Sequence, residues 1–438
     1  MRTVVLFTRD LRLHDHPALH DAARAGEVVP LFVLDERLLA TSRNRARFLL
    51  EGLRDLDAGL VALGGRLIVR RGDPATVAVA VAREVGADRL AVTSDISATA
   101  RRREAALHEL GAAAGIAVRT FAGNAVVEPG DVAPAGGEGY RVFTPYFRAW
   151  SVGPRRPVLP APSRVVVPDG VTSDPIPDPA DVAIDAESLP PGGEAAGRER
   201  LAAYLKRGAS NYEIARDELP SDTTSRLSPY IRFGMVSANE VAARAAKLAG
   251  AEGFVRQLCW RDFFGQLLAS DPALAWRDLR PPPEMQAPLL DPAEALARWR
   301  EGTTGLPLVD AGMRQLRREG WMHNRARMVT ASFLTRRLVL PWQEGAAHFA
   351  ALLVDGDPAN NSGGWQWVAG TGTDPRRMRS FNPVRQAKRF DPDGAYVRRY
   401  VPELAELDTR ELIAPWLSAE VLRRTGYPPP LLEVPTNS

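Results

Sequence analysis

Residues 3–8 read Thr-Val-Val-Leu-Phe-Thr and residues 28–34 read Val-Val-Pro-Leu-Phe-Val-Leu, and these two apolar runs decide the fold of the amino-terminal part. Amphipathic stretches such as Arg43 to Leu63 separate them from three further candidate strands, at 66–70, 89–93 and 117–121. Strands that alternate with helices in this way form βαβ units around a parallel sheet. We therefore predict a Rossmann-like, doubly wound parallel sheet.

Turn and cap residues support these boundaries. Gly64-Gly65 can end the second helix, and Asp73-Pro74 supplies an N-cap followed by proline at the first helical position. No Gly-x-Gly-x-x-Gly follows the first strand, where Phe7-Thr-Arg-Asp-Leu-Arg12 stands instead. Conventional NAD binding is therefore disfavoured.

The rest of the chain changes character twice. Between about Ala133 and Gly193 it is rich in Pro and Gly, which indicates a long connector, although Val142-Phe-Thr-Pro-Tyr-Phe-Arg-Ala-Trp150 is aromatic enough to dock on a surface. From about Glu194 helical periodicity dominates, as in Phe254 to Ala269. We predict an α/β domain over 1–132, a connector over 133–193 and an all-helical domain over 194–438.

Composition excludes several classes of protein. The chain has 438 residues, of which 45% are hydrophobic and 25% charged, and it has no apolar run of about 18 residues that could span a membrane. Cys259 is the only cysteine, which excludes disulfides, Cys-rich zinc sites and four-cysteine iron–sulfur clusters within one chain. We expect a soluble, cytoplasmic protein.

Two groups of side chains, one basic and one of histidines, could each form a binding site. The formal charge is only +3, but basic residues cluster between Arg376 and Arg399, which predicts either phosphate binding or a solvated basic face. His14, His16 and His20 suggest a metal site, but they lack carboxylate or cysteine partners at ligand spacing. We expect no metal.

One stretch has the composition of a ligand site. It reads Asp355-Gly-Asp-Pro-Ala-Asn-Asn-Ser-Gly-Gly-Trp-Gln-Trp367, which we regard as poor material for an ordinary helix or strand. Asp and Asn can hydrogen-bond a heteroaromatic edge, Gly permits close approach to a flat ligand, and Trp offers a π-face. We therefore predict a bound planar cofactor.

Other candidate segments have a structural alternative. Thr224 to Tyr230 could seat a phosphate at a helix start, or be an N-cap and turn. Trp260 could be a ligand contact or ordinary core. Asn324, Arg327 and Met328 share one helical face, which could be solvated or lie beside a polar ligand. His323 reads as a core histidine and not as a base.

Several motifs occur together and in the order of one known family. They are Leu6-Phe-Thr-Arg-Asp-Leu-Arg-Leu-His-Asp-His-Pro-Ala-Leu19, Thr224-Ser-Arg-Leu-Ser228, Trp260-Arg-Asp-Phe, Gly320-Trp-Met-His-Asn-Arg-Ala-Arg-Met328, Asp355-Gly-Asp and Trp365-Gln-Trp-Val-Ala-Gly-Thr-Gly-Thr-Asp374. Over nearly its whole length the chain resembles the DNA photolyase and cryptochrome flavoproteins, most of all the class I cyclobutane pyrimidine dimer photolyases.

The resemblance implies a folded FAD in the helical half. Its phosphate end would be held by Tyr212, Thr224, Ser225, Arg226, Leu227 and Ser228, with Arg261 and Asn324 nearby. Its isoalloxazine would meet Asp355, Gly356, Asp357 and Asn361, with Asn361 facing flavin N5 and Arg327 paired with Asp355.

The resemblance also implies light-driven repair of UV-damaged DNA, in which excited reduced FAD donates an electron to a flipped-out dimer. The dimer would be bound by Gln257, Trp260, Asn324, Met328 and Trp367, and flanking phosphates by Arg325 and the basic cluster. Photoreduction would use Trp365 and Trp342. We expect a monomer without an obligatory protein partner and without a membrane.

Two positions depart from the family pattern. Gln257 stands where dimer-repairing members often carry Glu, and Gln can donate a hydrogen bond but cannot transfer a proton. Leu289 stands at the outer position of the tryptophan chain, so that either another aromatic such as Trp299 substitutes or photoreduction is slow. The region from Thr93 to Thr99 does not discriminate between a deazaflavin antenna, a folate antenna and no antenna.

Three other functions remain as alternatives. A cryptochrome-like blue-light photoreceptor would bind FAD without repair, but the long tail common in signalling relatives is not seen after Trp416. A (6-4) photolyase would be expected to carry a second His where Asn324 stands. A light-independent flavin oxidoreductase is disfavoured because no nicotinamide site is visible.

Overall fold

The five predicted strands are present, each within two residues of its expected bounds. We analysed a computed structural model, which describes residues 1–134, 136–137, 139–221, 223–376 and 378–433. The strands are β1 (Arg2–Phe7), β2 (Glu27–Leu34), β3 (Ile68–Arg71), β4 (Arg89–Thr93) and β5 (Ala117–Phe121). They form one parallel sheet in the order β3-β2-β1-β4-β5. This confirms the doubly wound sheet, whose order reverses between β1 and β4.

The central strand is apolar along its length because both faces of the sheet are covered. Val4, Val5 and Leu6 are at most 1% exposed, although successive side chains of a strand point to opposite faces. Val4 lies opposite Val29 of β2 and Leu90 of β4. These side chains share one buried cluster with alanines and valines of the helix over Pro74–Glu84.

Residues divide by their contacts into two compact units. The first contains the described residues of 1–184, 190–212 and 225–272, and the second contains those of 185–189, 213–224 and 273–433. The predicted domain boundaries at 132 and 193 follow sequence composition and stay a prediction.

The helices up to the end of the first unit include those predicted at Arg43 to Leu63 and at Phe254 to Ala269. They are α1 (Pro17–Ala25), α2 (Glu36–Ala40), α3 (Arg43–Ala62), α4 (Pro74–Glu84), α5 (Ala98–Ala113), α6 (Phe143–Val152), α7 (Glu194–Arg207), α8 (Tyr212–Ala215), α9 (Ser228–Arg232), α10 (Ala238–Ala245) and α11 (Glu252–Ser270). Asp73 caps α4, accepting hydrogen bonds from the Ala75 and Thr76 amides as predicted. Gly64, at φ +83°, follows the end of α3.

The remaining helices belong to the second unit. They are α12 (Pro292–Glu301), α13 (Pro307–Glu319), α14 (Asn324–Ser332), α15 (Trp342–Leu352), α16 (Pro358–Ala369), α17 (Pro383–Phe390), α18 (Ala395–Tyr400), α19 (Thr409–Ile413) and α20 (Ala419–Thr425), with a π-helical turn over Phe333–Arg337. Short 3₁₀ turns lie at Pro179–Asp181, Ala209–Asn211, Pro272–Ala275, Pro402–Leu404 and Pro415–Leu417. No described residue after Phe121 lies in a strand, which confirms the helical second half. Within the described ranges, no helix is both long and apolar enough to cross a membrane.

The loop after β1 contains a buried arginine, Arg12, and no glycine-rich nucleotide motif. Arg12 is 1% exposed, and its guanidinium donates to the carbonyl oxygens of Gly123 and Gly234 at 2.9 and 3.0 Å. Gly234 has φ +64°, and a Cβ atom there would lie only 2.0 Å from the Arg9 carbonyl oxygen. The chain around Gly234 therefore packs directly against this loop.

Two of the three amino-terminal histidines, His14 and His16, lie beside carboxylates. His16 forms a fully buried ion pair with Asp10, with 2.9 Å between Nε2 and Oδ2. Burial alone would raise the pKa of the Asp10 carboxyl, but the charge and hydrogen bond of His16, together with hydrogen bonds from Thr8 and Thr93, outweigh it and lower this pKa to about 2. His14 Nδ1 lies 2.8 Å from Glu194 Oε1. Of the residues that the structure describes, no three His, Cys, Asp or Glu are grouped to hold a metal ion.

Candidate functional site

A buried carboxylate is the centre of the candidate site in the second unit. Asp355 follows α15, and its Oδ2 lies 2.8 Å from Nη2 of Arg327 on α14. Arg327 Nε also donates to the Met322 carbonyl oxygen at 2.8 Å, which fixes the guanidinium plane. Asp355 Oδ1 is buried and accepts no hydrogen bond from any described residue. Burying such an oxygen is costly unless a donor satisfies it, so this atom is suited to an N–H group of a ligand.

The segment after Asp355 forms a helix, and our expectation that it is poor helical material is wrong. Asp357 caps α16 and accepts from the Asn360 amide at 2.9 Å and from its side chain at 2.7 Å. Pro358 occupies the first turn, and Gly370 ends the helix in the left-handed conformation at φ +70°. These terminal signals outweigh the poor helix propensity of the residues between them.

The capped helix also orients an amide. Asn361 is half-buried, and its Nδ2 donates to the Ala346 carbonyl oxygen at 2.9 Å. That bond uses one of the two N–H groups of Nδ2 and fixes which end of the amide carries the acceptor oxygen. The Gly356 N–H points back to the Leu353 carbonyl oxygen at 3.2 Å.

The tryptophans predicted for electron transfer are buried in the same unit. Trp365 lies edge-on to Trp299, with ring centroids 6.0 Å apart. Trp342 is 4% exposed, and its Nε1 donates to Asp278 Oδ1 at 2.7 Å. Leu289 is fully exposed, whereas Trp299 is 0% exposed and donates to the Thr330 carbonyl oxygen. Trp299 therefore contacts Trp365 without reaching the surface.

Helix α14 presents the predicted polar face. Asn324 is exposed and its Nδ2 lies 3.7 Å from Met328 Sδ, which confirms that these side chains share one face. His323 is buried and caps the helix by accepting from the Arg325 amide at 3.1 Å. It is therefore a structural histidine.

Arg325 has partners inside the protein. Its guanidinium pairs with Asp217 at 2.7 Å, donates to Gln386 Oε1 at 3.3 Å and lies 4.4 Å from the Phe390 ring centroid. Its side chain is only 14% exposed. The phosphate contact predicted for Arg325 stays a prediction, and it would compete with these bonds.

The second unit also contains Trp367, which was predicted to bind the dimer, and the basic cluster. Trp367 is half-buried, with the Arg379 guanidinium 4.9 Å from its ring centroid. Helix α17 exposes three basic side chains of the cluster, Arg385, Lys388 and Arg389. Arg398 instead donates to the Leu407 carbonyl oxygen at 2.7 Å, and Arg377 lies outside the described residues.

The first unit contains the other predicted binding residues. On α11, Gln257 donates to the Gly253 carbonyl oxygen at 3.4 Å, and Arg261 lies 3.2 Å from Asp262. Trp260 is half-buried and stacks on Phe143, with ring centroids 3.6 Å apart. The Tyr212 ring packs on Phe254 at 5.9 Å.

The predicted phosphate segment is a turn at the start of α9. Leu227 is the N-cap residue without a side-chain cap, and its amide donates to Ser225 Oγ at 3.3 Å. Arg226 has φ +47°, a left-handed conformation unusual for arginine. Ser228 is the first residue of the helix. The hydroxyl of Thr224, which belongs to the second unit, is buried without a hydrogen-bond partner among described residues.

Comparison with known proteins decides the family. Residues 3–163 match the family described as DNA photolyase, and residues 254–438 match the FAD binding domain of DNA photolyase. A deoxyribodipyrimidine photo-lyase of Streptomyces griseus is 50% identical over 443 aligned positions, covering 98% of this chain and 96% of that protein. The chain belongs to the DNA photolyase family.

Solved structures agree over the whole chain. A bacterial class III photolyase from Agrobacterium tumefaciens has a TM-score of 0.90 at 31% identity, covering 99% of this chain and 94% of the other. A cryptochrome from Synechocystis has a TM-score of 0.89 at 28% identity, with coverages of 99% and 97%. An archaeal photolyase from Sulfolobus tokodaii, solved with two FAD molecules, has a TM-score of 0.85 at 28% identity, with coverages of 99% and 96%.

The described residues fit the FAD that this domain binds. Asp355 Oδ1 is a buried acceptor without a donor, and Thr224 Oγ1 is a buried hydroxyl without a partner. A flavin offers N–H groups and a dinucleotide offers phosphate oxygens, so the cofactor has the groups that these two atoms lack.

Sequence reasoning missed three partners of the candidate residues. Asp217 pairs with Arg325, Asp278 binds the Trp342 indole, and Phe143 stacks on Trp260. The aromatic segment 142–150 indicated that it would dock, but its partner was not evident. The two aspartates stand in segments with no motif.

Proposed function

We propose that this chain is a deoxyribodipyrimidine photo-lyase that repairs cyclobutane pyrimidine dimers in DNA under light. The observation that carries the proposal is the ion pair of half-buried Arg327 with buried Asp355, whose free carboxylate oxygen suits a flavin N–H, in a chain 50% identical to a photo-lyase. When bound and reduced, FAD supplies the photoexcited electron that opens the dimer.

The residues bind and orient, since this chemistry needs no nucleophile or general base from the protein. Asp355, Gly356, Asp357 and Asn361 are assigned to the flavin ring, and the burial of Asp355 and Asp357 supports this assignment. The phosphate end is assigned to Tyr212, Thr224, Ser225, Arg226, Leu227, Ser228, Arg261 and Asn324. Trp342 and Trp365 are assigned to electron transfer through the protein.

The damaged bases require aromatic surfaces and a pocket outside the duplex. Photolyases are among the enzymes known to take their target base out of the stack. Trp260 and Trp367 offer π-faces that accept either pyrimidine. Gln257, Asn324 and Met328 complete the binding residues, and Arg325 with the exposed arginines and lysine of α17 attract the flanking phosphates.

The proposal also specifies a subclass, an antenna chromophore, an oligomeric state and a location. The class I subclass is part of the proposal and is supported by the motif resemblance alone, and the class III structure is 31% identical to this chain. A second, antenna chromophore, deazaflavin or folate, is part of the proposal, as are a monomeric state and a cytoplasmic location. The single, buried Cys259 supports a reducing compartment.

The test is light-dependent repair. Purified protein with chemically reduced FAD is mixed with an oligonucleotide that contains one thymine dimer, and intact thymines are quantified after blue light and after darkness. Repair only in the illuminated sample supports the photo-lyase. Specific dimer binding without repair would instead favour the cryptochrome alternative, which the Synechocystis structure keeps open. A substrate with a (6-4) photoproduct should remain unrepaired.

A further inference from the structure

The aromatic segment 142–150 forms α6, which packs on α11 within the first unit. The rings of Phe143 and Trp260 lie face to face, with centroids 3.6 Å apart and planes inclined by 2°. Phe143 is 6% exposed, whereas Trp260 is half-buried. One face of the indole is thus covered by the connector, and the exposed part of Trp260 lies on another side.

The geometry of the pair indicates that packing imposes it. Aromatic rings prefer offset or edge-to-face arrangements to a parallel sandwich, so the mutual attraction of the two rings does not explain their alignment. Helix α6 is instead anchored by Trp150, whose Nε1 donates to the buried Asp262 on α11 at 2.9 Å. The Tyr146 ring also packs on Phe263 of α11, with centroids 5.4 Å apart.

Asp262 makes this anchor rigid. It is 3% exposed, and its Oδ2 also accepts from the backbone amides of Val126 and Val127 at 3.0 and 3.2 Å. Burial raises the pKa of the carboxyl, and Arg261 and the three N–H donors oppose this rise. Because one carboxylate joins three parts of the first unit, α6 cannot shift along α11 without leaving buried donors unpaired.

The exposed residue Arg256 lies beside the rings of Phe143 and Phe147. The guanidinium of Arg256 lies 5.2 Å from the Phe143 centroid and 4.7 Å from the Phe147 centroid. Arg256 precedes Trp260 by one helical turn, so it spans the two helices beside the stack. Such cation–π contacts add attraction between α11 and α6.

We propose that Phe143 is a positioning residue that fixes the plane of the Trp260 indole for stacking of a damaged pyrimidine. This inference rests on the proposed function. A tryptophan at a pocket must lose rotamer freedom when a base stacks on it, and a ring already held in place has lost that freedom before binding. The connector would thus contribute to substrate affinity without touching the substrate.

The test compares dark binding by five variants of the FAD-loaded protein, Phe143→Leu, Phe143→Tyr, Trp260→Ala, the double variant Phe143→Leu with Trp260→Ala, and Phe147→Leu. Dissociation constants are measured for a single-stranded oligonucleotide with one thymine dimer and for its undamaged counterpart. Phe147→Leu is the matched control, because Phe147 lies on the same helix under Arg256 and its ring contacts Phe143, at 5.9 Å between centroids, whereas no ring contact joins it to Trp260 among the described residues. Thermal unfolding checks the fold of each variant.

Phe143→Leu should weaken dimer binding about three- to tenfold and leave binding of undamaged DNA unchanged. In the Trp260→Ala background it should cause no further loss, since the ring that it positions is gone. Phe143→Tyr, which retains the ring, should bind as the parent does. Under light, KM should rise and kcat should stay constant.

Two results would overturn the inference while leaving the proposed function intact. One is unchanged dimer affinity in Phe143→Leu, and the other is an equal loss with Trp260 present and absent. Should Phe143→Leu fail to fold, Phe143→Met is measured by the same criterion. If the parent protein itself does not prefer the dimer to undamaged DNA, the proposed function fails and the inference fails with it.

Discussion

Replacing Asp355 with asparagine tests whether its free oxygen receives the flavin. In the structure one oxygen pairs with Arg327 at 2.8 Å and the other has no donor among the described residues. Hydrogen bonds to charged groups contribute about 1.5–3 kcal/mol, against about 1 kcal/mol for neutral pairs. Asparagine keeps one acceptor oxygen and turns two N–H donors towards either Arg327 or the cofactor. We expect Asp355→Asn to raise the FAD dissociation constant by about 10- to 100-fold.

The same substitution should affect the flavin-free protein less. The Arg327 side chain is 25% exposed, so water replaces part of the lost attraction, and we expect the free energy of unfolding to fall by about 1 kcal/mol. FAD affinity is measured by titrating flavin-free protein and following the flavin fluorescence. Asp408→Asn, which removes the same charge at an exposed helix cap, is the control. Equal FAD affinity in Asp355→Asn and the parent would refute the assignment of this oxygen.

Three further predictions concern other parts of the chain. Trp260→Ala should weaken binding of dimer-containing DNA by about 1–3 kcal/mol, measured by fluorescence anisotropy in the dark. Asp262→Ala should lower the free energy of unfolding in urea by about 3 kcal/mol or more, because three buried N–H donors lose their acceptor. Burial, with smaller effects of Arg300 and Arg317, lowers the pKa of His348 from 6.5 to about 4. The unfolded chain then binds more protons between these values, so stability should fall by at most about 3 kcal/mol as the pH drops from 6.5 to 4, and His348→Gln should remove this component of a urea titration.

The sheet could be predicted closely because its signals are local. The three inner strands β1, β2 and β4 are short apolar runs bounded by polar or turn residues, and a parallel strand covered on both faces needs such a run. The caps were equally direct, since Asp73-Pro74 contains both the acceptor side chain and the proline that start α4. Neither signal depends on where distant parts of the chain lie.

The helix α16 shows how composition can mislead. Asn, Ser and Gly between Pro358 and Trp365 argue against a helix by propensity, but Asp357 and Gly370 supply the start and the end. For α16 the terminal caps, and not the composition between them, determine that the segment is helical. The small and polar residues still indicate a ligand site. They lower the stability of the helix, which is unfavourable unless they bind a ligand.

The partners of the site residues could not be predicted, and the reason is physical. Helical periodicity tells which face of α11 or α14 a side chain occupies, but not what packs against that face. Arg325 and Asp217 are 108 residues apart, and Trp150 and Asp262 are 112 apart. For Arg325 the sequence is equally compatible with a phosphate contact and an internal ion pair, and only the position of Asp217 distinguishes them. An arginine that already has a carboxylate partner must exchange it for phosphate, so its contribution to DNA affinity is the difference between two charge-assisted bonds and not the whole of one.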